Sequence, residues 1–148
     1  MIRRARPEDA EAIADVYTAS FETLLAFLPD IHTSDERRQF MTEIVPRDHE
    51  IWVAEDEGTV VGFAALGEST LGHIFVHPDF HSRGLGTALL EKAKELRPAG
   101  FRLWTFPANQ RACRFYEHHG LHPIEYGDGS GNEEGLPDVR YEWRPETS

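Results

Sequence analysis

The segment that most restricts the fold runs from Leu71 to Phe106. Leu71-Gly72-His73-Ile74-Phe75-Val76 is a β-type run, and Pro78 stops it because proline brings no backbone donor to a ladder. From Gly84 to Arg97 the period changes: Leu85, Ala88, Leu89, Ala93 and Leu96 share one helical face, while Glu91, Lys92, Lys94 and Glu95 point away. Pro98-Ala99-Gly100 ends that helix, and Phe101 to Phe106 is again β-type. A strand, a crossover helix and a second strand form a right-handed unit with parallel strands in nearly every case. Their carboxyl ends face one way, so the loop from His77 to Arg83 and the segment Pro107 to Asn109 leave from the same edge, where open α/β sheets bind ligands.

The flanking segments read as further strands and helices. Ile2 to Arg4 is a short strand, Pro7-Glu8-Asp9 suits a first helical turn, and Ile13, Val16, Tyr17, Phe21 and Leu24 recur at helical spacing until Pro29 interrupts. Thr33 and Glu36 form a capping box before the apolar face Phe40, Met41, Ile44 and Val45, in a helix predicted to end near Pro46. Ile51 to Glu55 and Thr59 to Leu66 flank Asp56-Glu57-Gly58 as a hairpin. After the crossover unit, Asn109 caps a helix to about His119, and Gly120 supplies its left-handed stop. Strands at Pro123 to Tyr126 and Val139 to Trp143 follow, joined by the glycine-rich link 127–137. A chain of 148 residues suits one domain, 1–148, since two separate cores would each be near the limit of independent folding.

Composition removes several classes of function. Fifteen basic against twenty-six acidic residues give a net charge of −11, which repels nucleic-acid phosphates and anionic lipid surfaces. The chain has one cysteine, Cys113, so no intrachain disulfide forms; it reads as a small apolar helix residue in a reducing compartment. No apolar run is long enough for a signal peptide or a membrane span, and the expected location is the cytoplasm. His73, His77 and His81 recur every fourth residue, but Pro78 and the strand pattern deny them a shared helical face, so no metal site is expected. His118 and His119 suit the negative end of a helix dipole.

The chemistry concentrates at His81-Ser82-Arg83-Gly84-Leu85-Gly86-Thr87. This run enters a helix whose first amides lack intrahelical partners, and glycines at 84 and 86 let phosphate oxygens approach the backbone. A bare glycine-rich helix entry without a ligand is the plainer alternative. The Gly-Lys-Ser/Thr phosphate loop is missing, and Leu89 stands where a dinucleotide fingerprint carries its third glycine.

Residues Ile74 to Gly86 resemble the acetyl-CoA signature of the GNAT superfamily of N-acetyltransferases, Gln/Arg-x-x-Gly-x-Gly/Ala after a strand ending in Val-x-Pro; His81 stands at the Gln/Arg position. Asn109 to Leu121 is similar to that family's Asn-x-x-Ala-x-x-Phe-Tyr-x-x-x-Gly-Phe, with Leu121 at the final Phe. The resemblance implies an α/β fold (α+β in some schemes): a mixed, mostly antiparallel twisted sheet of about seven strands, with a central parallel pair and flanking helices. It also implies direct transfer of an acetyl group from acetyl-CoA to a primary amine in a ternary complex, without a metal. Pyrophosphate would lie on His81, Ser82, Arg83, Gly84, Leu85, Gly86 and Thr87, and pantetheine between the strands beside Asn109, which also caps its helix. Strand backbone near Phe75 and Val76 would hold the acetyl carbonyl, and Tyr116 would protonate the departing thiolate. Glu68 and His73 are candidates for the base that takes the amine proton, each with a plainer reading as a surface or strand residue.

The resemblance leaves the acceptor to the opening helices, with Phe21, Leu24, Phe27 and Phe40, and to Asp128, Glu133 and Glu134 of the late loop. A small-molecule amine and a protein amino group both fit. Exposed sheet edges suit a homodimer. A non-catalytic acyl-CoA sensor, or a nucleotide-binding module using the same glycine loop, is the competing function.

Overall fold

The computed structural model describes residues 1–23, 32–81 and 83–145. Leu24, Phe27 and Pro29 of the opening helical region, and Ser82 of the glycine loop, lie outside these described residues. Strand β1 is Ile2–Arg4; a 3-10 turn at Pro7–Asp9 leads into helix α1, Ala10–Thr23. Helix α2 (Ser34–Gln39), a π-helical turn at Phe40–Ile44 and helix α3 (Val45–Asp48) run on without a break. The capping box forms as the sequence predicts: Glu36 N donates to Thr33 Oγ1 at 3.1 Å, and Thr33 N donates to Glu36 Oε1 at 2.9 Å. Pro46 does not end this helical stretch. It sits in the first turn of α3, where a missing N–H costs little, and the segment continues to Asp48.

Strands β2 (Glu50–Asp56) and β3 (Thr59–Leu66) form the expected hairpin, turning on Glu57 and Gly58 with φ of 52° and 80°. Then come β4 (Leu71–Val76), α4 (Leu85–Leu96), β5 (Phe101–Thr105), α5 (Gln110–His118), β6 (His122–Gly127) and β7 (Asp138–Trp143). β1-β2-β3-β4 make one antiparallel sheet and β5-β7-β6 a second. β4 and β5, the parallel pair of the crossover, touch at one bridge only, Thr70 to Arg102, where Arg102 N donates to Ser69 O at 3.1 Å. The mostly antiparallel seven-strand arrangement is therefore present among the described residues, with its parallel pair reduced to a hinge.

The first sheet is buried on both faces. Ile51, Val53, Phe63 and Ala65 pack with Ile13, Ala14 and Val16 of α1, while Ala54, Ala64 and Leu66 pack with Leu89, Leu90 and Ala93 of α4. Double burial explains why β3 reads as an unbroken apolar run rather than an alternating one. On α4, Lys92 and Lys94 do not simply face solvent. Their ammonium groups lie 4.5 Å and 5.5 Å from the Trp52 and Trp143 ring centroids, so their stems cover the edges of the core.

At the start of the chain Asp9 is buried and accepts two bonds from Arg3, at 2.8 and 2.9 Å, and one from Arg6 N at 2.7 Å. Arg3 also pairs with Glu55, tying β1 to β2. The Arg3 guanidinium, aided by Arg6, holds the Asp9 carboxyl below its usual range against the opposing effect of burial. A depressed folded-state pKa gives stabilisation that is complete above the unfolded value of about 3.9 and is lost as pH falls through the folded value. Asp9→Asn is expected to cost about 2 kcal/mol at neutral pH. Urea midpoints followed from about pH 7 to about pH 2 should fall less steeply for the variant than for the parent.

Candidate active site

Where β4 and β5 diverge they leave a cleft of about 510 Å³. Its sides are residues 71–76 and 103–106, its floor is Asn109, Ala112, Phe115 and Tyr116 of α5, and one end is Gly84 to Thr87. The other end is closed by Tyr17 and Phe21 of α1 and by Glu133 and Glu134 of the late loop. The ligand crevice thus lies where the crossover geometry places it.

Gly84 is the N-cap of α4, with φ 77° and ψ 8°. Nothing lies within 4 Å of a β-carbon built there, so the backbone conformation alone requires glycine. The first helical bond is Ala88 N to Gly84 O at 3.0 Å, so the amides of Leu85, Gly86 and Thr87 precede the bonding pattern at the positive end of the dipole. At Gly86 a β-carbon would meet the Phe115 ring at 3.5 Å and Val76 Cγ2 at 3.9 Å, both ordinary van der Waals contacts. Arg83 is turned aside onto Asp56, 2.7 Å away, and over the Phe80 ring. Thr87 Oγ1 lies 3.2 Å from His119 Nε2.

Arg111 also lines the cleft, and its charge contributes to lowering the His81 pKa. Sequence reasoning missed it because it occupies a variable position of the Asn109 segment. These residues suit a diphosphate: free amides, a left-handed turn and a nearby cation.

The strand edge is defined by its hydrogen bonds. His77 N donates to Val61 O at 2.8 Å, which turns the backbone of His77, and by alternation that of Phe75, toward β3. The Val76 peptide group then faces the cleft, and its carbonyl accepts from His81 Nε2 at 2.9 Å. A carbonyl only accepts, so His81 carries its proton on Nε2; burial, the main cause, lowers the pKa of this ring. His81 is therefore committed to Val76 O. Phe75 contributes a ring rather than a peptide group, stacked on Tyr17 with centroids 5.5 Å apart and planes 10° apart.

Asn109 caps α5 by accepting from Ala112 N through Oδ1 at 3.2 Å, while the residue lines the cleft. Tyr116 is only 8% exposed and packs against Phe115 and Tyr141, with no hydrogen-bond partner for its hydroxyl among the described residues. Burial pushes its phenol well above the ordinary range, so it keeps its proton.

The two candidate bases separate. Glu68 is exposed and does not line the cleft. Its turn is closed by Gly67 N to Thr70 O at 2.9 Å and pinned by Arg97 Nε donating to Gly67 O at 2.9 Å, which fixes Glu68 at the amino ends of β4 and β5. That placement sets it apart from the cleft. His73 does line the cleft, among the rings of Tyr17, Phe40, His49 and Phe75. Burial first, and His49 second, lower its pKa to about 4, so it is neutral at physiological pH.

Of the acceptor-side carboxylates, Asp128 turns back onto Ser130, whose N and Oγ donate at 2.9 and 2.6 Å. Glu133 meets His32 Nε2 at 2.9 Å, and Glu134 lines the cleft. Phe21 lines it under the Arg37 guanidinium, 4.1 Å from the ring centroid, whereas Phe40 is 37% exposed outside it. Among the described residues no group of three or more His, Cys, Asp or Glu is placed to hold a metal ion, and no helix is long and apolar enough to cross a membrane.

A divided sheet with an anion-binding helix start and an open strand edge defines a coenzyme-dependent acyltransferase fold. The sequence profile of the acetyltransferase (GNAT) domain matches residues 47–122, and the chain belongs to that family. It is 33% identical to an uncharacterized N-acetyltransferase of Archaeoglobus fulgidus, over 89% of this chain and 99% of the relative. It is 29% identical to the peptidyl-lysine N-acetyltransferase YjaB of Salmonella typhimurium, over 81% of each. Among solved structures, apo YjaB from Escherichia coli superposes with a TM-score of 0.81 at 24% identity, covering 96% of this chain and 95% of that one. YncA of Salmonella typhimurium, solved with acetyl-CoA, gives 0.74 at 21% identity, covering 100% and 95%.

Gly84→Ala is expected to cost about 1 kcal/mol, because an alanine at positive φ is strained whatever the space around it. Calorimetry should show a melting temperature lower by about 3 °C. Gly84→Asn should lose less, since asparagine tolerates the left-handed region.

Proposed function

We propose that this acetyl-CoA-dependent N-acetyltransferase passes its acetyl group directly to a primary amine held at the aromatic end of the cleft. The observation that carries the reading is the unpaired edge of β4, where the Val76 peptide group faces a gap between the α4 amides and Tyr116. The amides of Leu85, Gly86 and Thr87, with Arg111, hold the diphosphate, and Asn109 steadies the pantetheine arm. The Val76 N–H would donate to the thioester oxygen; such a donor stabilises the charge that grows there by about 3 kcal/mol.

The amine nitrogen bonds to the carbonyl carbon as the carbon–sulfur bond breaks, Tyr116 gives its proton to the leaving thiolate, and the surplus proton on the new amide nitrogen returns to the Tyr116 oxygen. An ammonium of pKa about 10 must first lose a proton, and His73, neutral and facing the cleft, is the first group to receive it. The net reaction releases one proton to solvent. Glu133 and Glu134 favour a cationic acceptor on encounter. A small amine and a protein amino group share this chemistry, and the lone Cys113 fits a cytoplasmic enzyme.

A thiol-release screen of acetyl-CoA against an amine panel tests the reading; acetyl-CoA binding with no release for any amine would contradict it. Tyr116→Phe is expected to lower kcat about 10²-fold while the KM for acetyl-CoA stays within about twofold. Because burial raises the phenol pKa, Tyr116 stays protonated as pH rises, and kcat should show no basic limb from it below about pH 10.

A further inference from the structure

His73 is a poor place for a proton to rest. It lies in an apolar ring cluster, and its depressed pKa means that a proton received there must move on. Of the rings packed around it, Tyr17, Phe40, His49 and Phe75, only His49 carries a basic nitrogen; the two imidazole centroids are 5.9 Å apart.

The chain is built to present that nitrogen. In the β3–β4 ladder Ala65 faces His73 and Leu66 faces Leu71, so Gly72 is the extra residue of a bulge. The His49 ring sits directly on Gly72: a β-carbon there would lie 2.7 Å from His49 Nε2 and 3.0 Å from Cδ2. Behind it, His49 Nδ1 lies 3.1 Å from Val45 O and donates to it, because a carbonyl only accepts. With the proton on Nδ1, the lone pair is on Nε2, on the side of Gly72, a residue that lines the cleft.

We propose that His49 is the positioning and relay residue of the acyl transfer, taking from His73 the proton that the acceptor amine loses and delivering it to solvent. The inference rests on the acyl-transfer reading above. The N–H bond of the ammonium breaks and its proton joins one nitrogen of His73, while the other His73 nitrogen yields a proton to His49 Nε2. His73 ends neutral with its tautomer exchanged, and His49 becomes an imidazolium that deprotonates to water. With ring centroids 5.9 Å apart, the transfer would pass through one bridging water. Among the described residues Tyr17, on α1, is the other titratable group against His73; burial raises its pKa, and Arg37, Glu133 and Glu134 act on Tyr17 rather than on His73.

Two substitutions approach the relay from opposite sides. His49→Gln removes the basic nitrogen, and Gly72→Ala leaves the histidine intact but displaces its ring. Thiol release at saturating acetyl-CoA and amine is expected to fall about 10²-fold in both, with the acid limb of the pH–rate profile moved by more than about one unit. The KM for acetyl-CoA should stay within about twofold, and added imidazole should restore part of the rate to His49→Ala. Parent turnover with an unchanged acid limb in both variants, or a loss in His49→Ala that imidazole does not rescue, overturns the relay and leaves the acyl-transfer reading standing. No thiol release by the parent with any amine overturns both.

Discussion

The structure turns on one parallel bridge. Thr70 and Arg102 hold β4 and β5 together at their amino ends, and beyond that point neither strand has the other as a partner. A sheet that parts in its middle gives up several backbone hydrogen bonds, a loss borne only where something else uses the freed groups. The gap becomes the cleft, the crossover helix brings unpaired amides to its rim, and α5 supplies its floor. The substrate path is thus a consequence of strand divergence more than of any single side chain. Arg97, donating to Gly67 O while meeting Glu50 at 3.3 Å, fastens the hinge from the far end of α4.

Charge inside the cleft differs from charge on the whole molecule. The net −11 belongs mainly to exposed carboxylates, whereas the cleft wall carries histidines held neutral by burial and a tyrosine held protonated by it. Donors fixed in a partly enclosed site act more strongly than the same groups in bulk water, because they need not reorganise around developing charge. Two signs of field are also separated along the cleft. Free amides and Arg111 lie at the α4 end, and Glu133 and Glu134 lie at the other, so the proposed anionic donor and cationic acceptor would be drawn to opposite ends.

Much of this was legible in the sequence wherever local chemistry decides the outcome. The Thr33–Glu36 box, the Glu57-Gly58 turn, the left-handed Gly84 and the Asn109 cap each follow from residues within one turn of each other. The site residues Tyr116, Asn109, His73 and Gly84 to Thr87 meet in one cleft because the crossover fixes their relative positions. What failed depended on long-range placement. Glu68 sits five residues from His73, yet the pinned turn at Gly67 sends it to the wrong end of β4. His49, the proposed relay residue, carried no local signal, since its contact with Gly72 arises from a bulge in a strand more than twenty residues later. Arg111 occupies a position that no short motif specifies.

His81 shows how one departure from a family pattern is absorbed. A buried carbonyl left without a partner costs about 1–3 kcal/mol, and the outer edge of β4 presents a carbonyl at Val76 that needs one. An imidazole is shorter than glutamine or arginine and reaches back to that carbonyl, 2.9 Å away, instead of outward to a diphosphate. The bond satisfies Val76 O and leaves the adjacent N–H as the unsatisfied donor of the edge, the group that a thioester oxygen would need. In the proposed complex the α4 amides and Arg111, already at the rim, would take over the missing contact to the diphosphate. In the proposed reaction His81 would act on the thioester carbonyl through the strand backbone, a different part of the ligand from the diphosphate.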